Sequence, residues 1–359
     1  MEQRQIIVVG GGPAGMCAAL QAARQGASVT LIESEDRLGG QLIKQTHMFF
    51  GSQKQHAGTR GIDIAAMLIA ELESMPNIDI MLGTTVLGRY YEDGAITVDD
   101  NGSFRVLKPE ALIIAAGASE RMLAFPNNDL PGIYGAGAVQ TLMNVYGVKP
   151  ADRVLMIGAG NIGLIVSYQL MQAGVNIAAI LEGGPRIGGY LVHASKIRRL
   201  GVPIRTRTSI KEALGTDHVT GAIIHQLNEK WQPVPGTEEH IECDTICLAV
   251  GLSPFSDLLW QSGCEMRLVP ELGGHVATRN EKMETTVPGV YLAGDVASIE
   301  EASSAMVEGY IAGLNAALAL GFQQEDTEQV AADLQTQLNS LRAGPEGSRT
   351  RAGLAKIGF

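Results

Sequence analysis

The chain has 359 residues, of which 45% are hydrophobic and 18% are charged, and its formal net charge at pH 7 is −11. That length is enough for two or three domains with full cores, and the acidic balance disfavours nucleic acid or an anionic membrane as a partner, because both require concentrated Lys and Arg. No apolar run approaches the roughly 20 residues of a membrane span, and the N-terminus enters a strand too soon to carry a signal peptide, so we expect a cytoplasmic protein.

The first predicted strand, residues 6–9, runs directly into Gly10-Gly11-Gly12-Pro13-Ala14-Gly15 and then a helix. In such a unit the first glycine makes the turn, the second lets backbone approach a pyrophosphate, and the third lets the helix pack on the strand. A second strand, residues 28–32, ends in Glu33, 23 residues after Gly10, near the offset at which an acid binds a ribose. The pattern predicts a dinucleotide site; the alternative is a purely structural loop.

A small antiparallel meander is predicted for residues 77–117, where apolar and polar side chains alternate around Asp93-Gly94 and Asn101-Gly102. Residues 111–119, ALIIAAGAS, are predicted to be a buried strand that ends in Ala116 and Gly117. Such small residues allow the backbone to cross close to a dinucleotide.

A second strand, glycine loop and helix begins at residue 153, with glycines at 158, 160 and 163. Glu182 ends the next strand, 24 residues after Gly158, so the ribose acid is repeated. An acid there repels a 2′-phosphate and favours NAD over NADP, whereas Arg186 favours NADP. A scaffold role, or another adenine nucleotide such as ATP, is the alternative. Residues 221–251 predict a second meander.

Residues 285–297 predict a turn and a strand that ends in Gly294-Asp295, followed by a helix from about Ala302. An Asp at this place can bind a ribityl hydroxyl, and the helix N-terminus places partial positive charge near a reduced isoalloxazine. These elements and the first glycine loop flank the second loop in the chain, so we expect a discontinuous FAD domain.

The predicted fold class is therefore α/β, with two Rossmann-like three-layer domains, each carrying a small antiparallel meander. We expect the following ranges: FAD-binding domain, 1–122 and 257–322; NAD-type dinucleotide-binding domain, 123–256; C-terminal helix and tail, 323–359. An amphipathic helix in the last range would dock on the body or on a partner. About the last 17 residues, rich in Gly, Arg and Ser, are expected to be disordered alone or ordered by a partner subunit.

The four cysteines, at positions 17, 243, 247 and 264, form neither a CxxC pair nor a zinc-ligand set, and we expect packing roles for them. The histidines at 193, 218, 225 and 240 have no ligand spacing either. No metal site is predicted.

These ordered signatures resemble the two-dinucleotide-fold flavoproteins, which include thioredoxin reductase and the pyridine nucleotide-disulfide oxidoreductases, over residues 1 to about 322. The resemblance implies that FAD is lined by residues of the first loop and the segments described above: Gly10, Gly12, Pro13, Ala14, Gly15, Glu33, Gly40, Gln41, Val86, Ala116, Gly117, Gly294, Asp295 and Ala302. It implies that a nicotinamide nucleotide is lined by Gly158, Gly160, Asn161, Ile162, Gly163 and Glu182.

The redox cysteines of that group are missing here. Glutathione-reductase-like members carry a CxxxxC pair just after the Gly-Gly of the first domain, where residues 39–52 read GGQLIKQTHMFFGS. Thioredoxin reductases carry CxxC early in the nicotinamide domain, where residues 135–144 read GAGAVQTLMN. A dithiol relay needs a thiolate beside the flavin, so we do not expect this chain alone to reduce disulfides.

Residues 120–144 resemble another branch of the superfamily: the α-type subunits of opine oxidases, dye-linked proline and hydroxyproline dehydrogenases, hydrogen cyanide synthase and heterotetrameric sarcosine oxidase. That resemblance implies an electron-transfer (alpha-type) subunit of an amino-acid, amine or opine dehydrogenase complex. It would exchange electrons between FAD, an NAD-type nucleotide and an iron-sulfur or flavin partner. No cysteine follows Phe322, so we expect any [2Fe-2S] cluster on a small partner subunit, beside a second flavoprotein subunit in a hetero-oligomer.

Gln41, Lys44 and His47 are the candidate catalytic residues, because they can offer donors to an isoalloxazine or a substrate anion and an imidazole such as that of His47 can move a proton near neutral pH. The alternative is that Lys44 and His47 belong to a surface lid. Phe49 and Phe50 are predicted to pack. Two other functions stay open: a free-standing NADH-dependent flavin reductase, and a non-catalytic nucleotide-binding scaffold.

Overall fold

Two parallel β-sheets, each in its own compact unit, organise the chain in the computed structural model. The structure describes residues 1–49 and 51–358, so Phe50 lies outside the described residues. Unit 1 comprises residues 1–119 and 253–359, and unit 2 comprises residues 120–252. These boundaries lie a few residues before the predicted ones. The assignment of FAD to unit 1 and of a nicotinamide nucleotide to unit 2 stays a prediction.

The strands are β1 (Glu2–Val9), β2 (Val29–Ile32), β3 (Ile78–Met81), β4 (Thr84–Arg89), β5 (Ile96–Asp100), β6 (Ser103–Ile114), β7 (Ala118–Glu120), β8 (Ile133–Gly135), β9 (Arg153–Ile157), β10 (Asn176–Glu182), β11 (Ile204–Thr206), β12 (Thr208–Gly215), β13 (Val219–Gln226), β14 (Glu239–Glu242), β15 (Thr245–Leu248), β16 (Leu252–Pro254), β17 (Met266–Val269), β18 (Gly274–Ala277) and β19 (Val290–Leu292). The α-helices are α1 (Pro13–Arg24), α2 (Gly61–Ser74), α3 (Ala136–Asn144), α4 (Asn161–Gln172), α5 (Leu191–Arg199), α6 (Asp257–Gln261), α7 (Ala302–Ala319), α8 (Thr327–Leu341) and α9 (Ser348–Leu354). Short 3-10 turns cover Leu42–Lys44, Gln53–Gln55, Pro270–Leu272 and Gly294–Val296.

The sheet of unit 1 is parallel in the order β3-β2-β1-β6-β19. The last four residues of β1 and of β6 and the whole of β2 are buried and, apart from Thr30, apolar, as a parallel sheet covered on both faces requires. β4 and β5 continue from the first half of β6 as an antiparallel meander. Residues 78–81 fall within the range predicted for the meander, but they form β3 on the parallel edge, because α2 carries the chain across the sheet before they pair with β2.

α1 and α7 cover one face of this sheet and pack closely against each other. A Cβ on Gly309 would be 2.1 Å from the Ala14 carbonyl oxygen, and one on Gly313 would be 2.1 Å from that of Ala18. Two glycines four residues apart therefore let the α7 backbone lie directly on α1. This contact sets the position of the first turn of α1, where the glycine loop ends.

Unit 2 repeats the plan, with a parallel sheet in the order β11-β10-β9-β15-β8 and an antiparallel meander of β12, β13 and β14. The fold class is as predicted, α/β with a meander attached to each parallel sheet.

The C-terminal segment is folded onto unit 1. Leu334 and Leu338 of α8 are buried in the core that contains α1 and α7. The hydroxyl of Thr327 donates to the side-chain oxygen of Gln25 at 2.6 Å. Beyond α9, Ile357 is buried with apolar residues of the β17–β18 hairpin. The expectation of a tail that is disordered when alone was therefore wrong, because Ile357 and Leu354 pack against apolar residues of the hairpin region. Within the described residues, no helix combines the length and apolarity needed to cross a membrane.

Candidate dinucleotide sites

The first glycine loop joins β1 to α1, and two of its glycines are required by the fold itself. Gly10 has a φ of +106°, and a Cβ there would be 2.4 Å from the Ala115 carbonyl oxygen. A Cβ on Gly15 would be 1.7 Å from the Gly10 carbonyl oxygen, so α1 lies directly against the end of β1. Both positions lack room for any side chain.

Gly12 differs, because nothing in the described protein around it requires a glycine there. Its φ of −76° suits any residue, and apart from its chain neighbours the nearest atom to a Cβ would be Gly40 Cα, at 4.0 Å. Gly12 is the N-cap of α1, Pro13 follows it, and no side chain among the described residues caps this end of the helix. An open cradle over free helix amides fits the pyrophosphate of a dinucleotide.

Glu33 is the acidic residue that is hydrogen-bonded to this loop. It is buried at the end of β2, where its Oε2 accepts a hydrogen bond from the Gly11 N–H at 2.7 Å and its Oε1 accepts one from the Glu35 N–H at 2.9 Å. A carboxylate has about four acceptor positions, so Glu33 can orient the loop and still accept from a ribose hydroxyl.

The segment that contains the candidate catalytic residues begins against the same loop. The Gly39 N–H donates to the Gly11 carbonyl oxygen at 2.9 Å, and a Cβ on Gly40 would be 2.8 Å from Gly12 Cα. Gln41 is exposed and is the N-cap of the 3-10 turn Leu42–Lys44. Lys44 and His47 are half-buried, and the His47 ring stacks on Phe49 with centroids 6.0 Å apart. Their catalytic roles stay predictions.

Gly294 and Asp295 follow β19 and lie beside α1. Gly294 has a φ of +77°, and a Cβ there would be 2.8 Å from the Ala14 Cβ. The Glu300 N–H donates to Asp295 Oδ1 at 3.4 Å. Burial, with the nearby Glu308 and Glu300 carboxylates, raises the pKa of Asp295 to about 7.

The remaining residues predicted for FAD are less closely grouped. A Cβ on Gly10 would be 3.3 Å from the Ala116 nitrogen, so the end of β6 borders the loop. Gly117 has a φ of +76° and open space where a Cβ would be. Ala302 begins α7. Val86 lies in β4 opposite Val98, in the antiparallel part of the sheet, and its contact with FAD stays a prediction.

A buried charged cluster that was not predicted from the sequence contacts Gly294. Glu308 Oε2 accepts a hydrogen bond from the Gly294 N–H at 2.9 Å, and its Oε1 pairs with Arg279 at 3.0 Å and also with Arg342. Arg342 in turn pairs with Glu300 at 2.6 Å. A signal was present, because Glu308 is the one charged residue in the sequence of α7.

The second glycine loop, between β9 and α4, has the same geometry. Cβ atoms on Gly158 and Gly163 would be 2.2 Å from the Ala249 carbonyl oxygen and 2.0 Å from the Gly158 carbonyl oxygen. Gly160 has a φ of −74°, and within the described residues no atom lies within 4 Å of a Cβ there apart from its chain neighbours. The open middle glycine therefore fits a second pyrophosphate.

The acid of the second loop also repeats the first. Glu182 Oε2 accepts from the Ala159 N–H at 3.1 Å, and its Oε1 accepts from the Gly184 N–H at 2.9 Å. Asn161 and Ile162 begin α4, and Asn161 Oδ1 accepts from the Tyr190 N–H at 2.8 Å.

A short segment that follows each acid is also repeated, and this repeat was not predicted. Four residues after each acid the chain reads Arg37-Leu-Gly-Gly-Gln and Arg186-Ile-Gly-Gly-Tyr. The N–H of the second glycine of the pair, Gly189, donates to the Ala159 carbonyl oxygen at 2.9 Å, whereas in the first loop the first glycine, Gly39, donates to the Gly11 carbonyl oxygen. Each glycine loop is thus hydrogen-bonded to a Gly-Gly segment.

The four cysteines are all buried free thiols. Burial raises the pKa of Cys17 and of Cys243 to about 12, and it raises the pKa values of Cys247 and Cys264 as well. The thiolate is the reactive form, so none of these side chains is suited to a redox dithiol near neutral pH.

Comparison with known sequences gives one family match and several related proteins. The profile of the pyridine nucleotide-disulphide oxidoreductases matches residues 4–309. The HcnB subunit of hydrogen cyanide synthase from Pseudomonas protegens is 30% identical over 328 residues, which are 86% of this chain and 69% of that protein. An opine oxidase subunit of Agrobacterium tumefaciens is 29% identical, and the match covers 87% of this chain and 65% of that protein. This chain thus spans about two thirds of the length of these relatives.

Solved structures of similar fold include a thioredoxin reductase from T. acidophilum, with a TM-score of 0.73 and 23% identity over 89% of this chain and 99% of that one. L-proline dehydrogenase from P. horikoshii has a TM-score of 0.71 and 20% identity over 94% of this chain and 59% of that one. At these identities the likeness shows the fold, which is the predicted pair of Rossmann-like domains.

Proposed function

The chain belongs to the pyridine nucleotide-disulphide oxidoreductase family and is a flavin- and pyridine-nucleotide-dependent oxidoreductase, and on that premise we propose that it is the electron-transfer subunit of a complex that oxidises an amino acid, an amine or an opine. The hydrogen cyanide synthase and opine oxidase relatives are themselves named as subunits. In this proposal another polypeptide oxidises the substrate, and this chain passes electrons between that partner and a nicotinamide nucleotide.

The observation that carries the proposal is the pairing of two open glycine loops with four buried thiols. Gly12 and Gly160 each leave space that a pyrophosphate would fill, so both units are suited to a dinucleotide. The raised pKa values of Cys17 and Cys243 argue against a dithiol relay to a disulfide substrate. Without a dithiol, we expect electrons that enter the chain to leave through a nucleotide or a partner protein.

FAD is assigned to unit 1, with its pyrophosphate on the first turn of α1, a ribose on Glu33 and the ribityl chain on Asp295. A flavin held there supplies the step between electron-pair and single-electron transfer. Gln41 and Lys44 would orient the ring or a substrate anion, and the His47 imidazole would take up or deliver the accompanying proton.

NAD is assigned to unit 2, with Glu182 on its ribose. A carboxylate at this place attracts ribose hydroxyls and repels a 2′-phosphate, so we expect NAD to bind more tightly than NADP. The proposed partners are a small [2Fe-2S] protein and a second flavoprotein that carries the oxidising site.

The test is an anaerobic reduction experiment on the chain purified together with the products of its genomic neighbours. FAD absorbance is followed while either NADH or a candidate amino-acid, amine or opine substrate is added, in the parent complex and in the Gly160→Ala variant. The proposal expects NADH and one of these substrates to bleach the flavin in the parent, and only the substrate to do so in the variant, because Gly160 serves the nucleotide of unit 2 alone.

Two outcomes would overturn the proposal. If the chain is purified alone as a monomer and oxidises NADH at full rate with a small-molecule acceptor, it is a free-standing reductase. If neither NADH nor the partner's substrate ever bleaches a bound flavin, the chain is a nucleotide-binding scaffold.

A further inference from the structure

Trp231 lies beside the acid of the second nucleotide site, in the connection between β13 and β14. Its side chain is 63% exposed. The benzene edge of the indole lies against Gly183, where a Cβ would be 2.5 Å from Cζ3 and 3.3 Å from Cη2. Gly183 directly follows Glu182, so a large aromatic face is open to solvent next to the ribose acid.

The backbone holds this indole at an energetic cost. Trp231 has a φ of +61°, a left-handed conformation that is unusual for a bulky residue. Asn228 stabilises it: its side-chain oxygen accepts from the N–H groups of Lys230 at 2.9 Å and Gln232 at 3.0 Å, and its carbonyl oxygen accepts from the Trp231 N–H at 3.0 Å. Strain of this kind at an exposed residue that fills no core points to a functional role.

The loop that carries Trp231 is also tied to the loop that follows Glu182. The Arg207 N–H donates to the Gly184 carbonyl oxygen at 2.9 Å, and the Leu227 N–H donates to the Arg207 carbonyl oxygen at 2.7 Å. Two short backbone hydrogen bonds therefore connect the residues on either side of the indole and the acid. The indole keeps its place relative to Glu182 before any ligand arrives.

We propose that Trp231 is the stacking platform for the adenine base of the nucleotide bound in unit 2. This inference rests on the proposed nucleotide site. If Glu182 binds the adenosine ribose, the base on that ribose must lie within a few ångströms of Gly183. A pre-positioned indole offers the base a flat π-face there, and stacking of this kind accepts any base without hydrogen-bond recognition. Gly183 is required because a side chain would displace the indole.

The experiment uses ADP-ribose, which carries adenine but no nicotinamide, and reads binding from tryptophan fluorescence. The FAD-loaded chain contains one other tryptophan, Trp260 in unit 1, so the Trp260→Phe variant leaves Trp231 as the sole emitting indole. ADP-ribose should quench its emission saturably. Calorimetry on Trp231→Ala should show binding about tenfold weaker.

Two matched substitutions separate stacking from simple filling of space. Trp231→Phe keeps a π-face and should bind ADP-ribose within about threefold of the parent, whereas Trp231→Leu keeps apolar bulk without a π-face and should be as weak as the alanine variant. Gly183→Ala should weaken binding too.

Equal affinity in the parent, alanine and leucine variants would overturn the platform while leaving the nucleotide site in place. Binding without any quenching would do the same. If the parent binds neither ADP-ribose nor NAD, the proposed second nucleotide site fails together with this inference. The circular dichroism spectrum of each variant should match that of the parent. If Trp231→Ala unfolds the loop, the comparison of Trp231→Phe with Trp231→Leu still tests the platform.

Discussion

Arg342, at the C-terminal end of α8, forms a buried ion pair with Glu308 in the middle of α7. The same Glu308 accepts the backbone N–H of Gly294, in the loop assigned to FAD. The C-terminal segment is thus connected through one carboxylate to the floor of the first candidate site. The contribution of Arg342 to the free energy of unfolding can be measured by substitution.

We expect Arg342→Met to lower the free energy of unfolding by about 3 kcal/mol, because it leaves Glu308 and Glu300 buried with one cation fewer. Urea denaturation of the FAD-free chain measures this. Lys356→Met is the matched control, since the Lys356–Glu271 pair is exposed and should cost less than about 1 kcal/mol. Equal effects of the two substitutions would show that the buried cluster contributes little.

The middle glycines give a paired prediction for the two cofactors. Gly12→Ala and Gly160→Ala should leave stability unchanged or raise it by about 0.5 kcal/mol, because both backbones are compatible with alanine and the space is open. Gly12→Ala should weaken FAD binding about tenfold or more and spare NAD, while Gly160→Ala should do the reverse, as measured by calorimetry. Gly15→Ala, whose Cβ would overlap the Gly10 carbonyl, should fail to fold.

Asp295 should make stability depend on pH. Its pKa is raised to about 7, so the folded chain holds a proton that the unfolded chain releases near pH 4. The wild type should therefore lose stability relative to Asp295→Asn as pH rises from about 4 to 7, and the difference should be constant above 7. Urea denaturation of the FAD-free proteins at several pH values measures it.

A difference that stays the same at every pH would mean that Asp295 titrates normally in the folded chain. At about pH 8, where the Asp295 carboxyl is ionised, the same variant should bind FAD about tenfold more weakly, because the ribityl chain loses a hydrogen bond to a charged group.

The thiols should be inert in the native chain. Iodoacetamide at pH 7 should leave all four cysteines unmodified and NADH oxidation unchanged, because the thiols are buried and their pKa values are raised. Mass spectrometry after unfolding in urea should show four modified sites. Rapid loss of activity together with modification of one cysteine in the native chain would contradict this prediction and support a mechanism that uses a thiol.

The fold and the two glycine loops were predictable because their signals are local. A glycine with positive φ between a strand and a helix, as at Gly10 and Gly158, and an acid at a fixed offset both lie within about 25 residues of chain. The repeat that contains Gly188 and Gly189 was equally local, and comparing the residues after Glu182 with those after Glu33 would have revealed it.

The C-terminal segment and the buried charges were not predictable in this way. The composition of the tail predicted disorder, yet Ile357 is buried against a hairpin that lies about 80 residues earlier in the chain. Arg342 meets Glu308 only because α7 and α8 fold back on each other. Such pairings depend on tertiary contacts, which neither the hydrophobic pattern nor the spacing of residues encodes.

Each glycine loop, with its acid and its Gly-Gly segment, is complete within one unit, and no residue belongs to both sets. A substitution that prevents nucleotide binding at one glycine loop therefore leaves the residues of the other loop unchanged. Evolution can therefore act on the two sites separately: under the proposed assignments, a descendant that loses Gly160 would keep its flavin site and lose only the exchange of electrons with NAD.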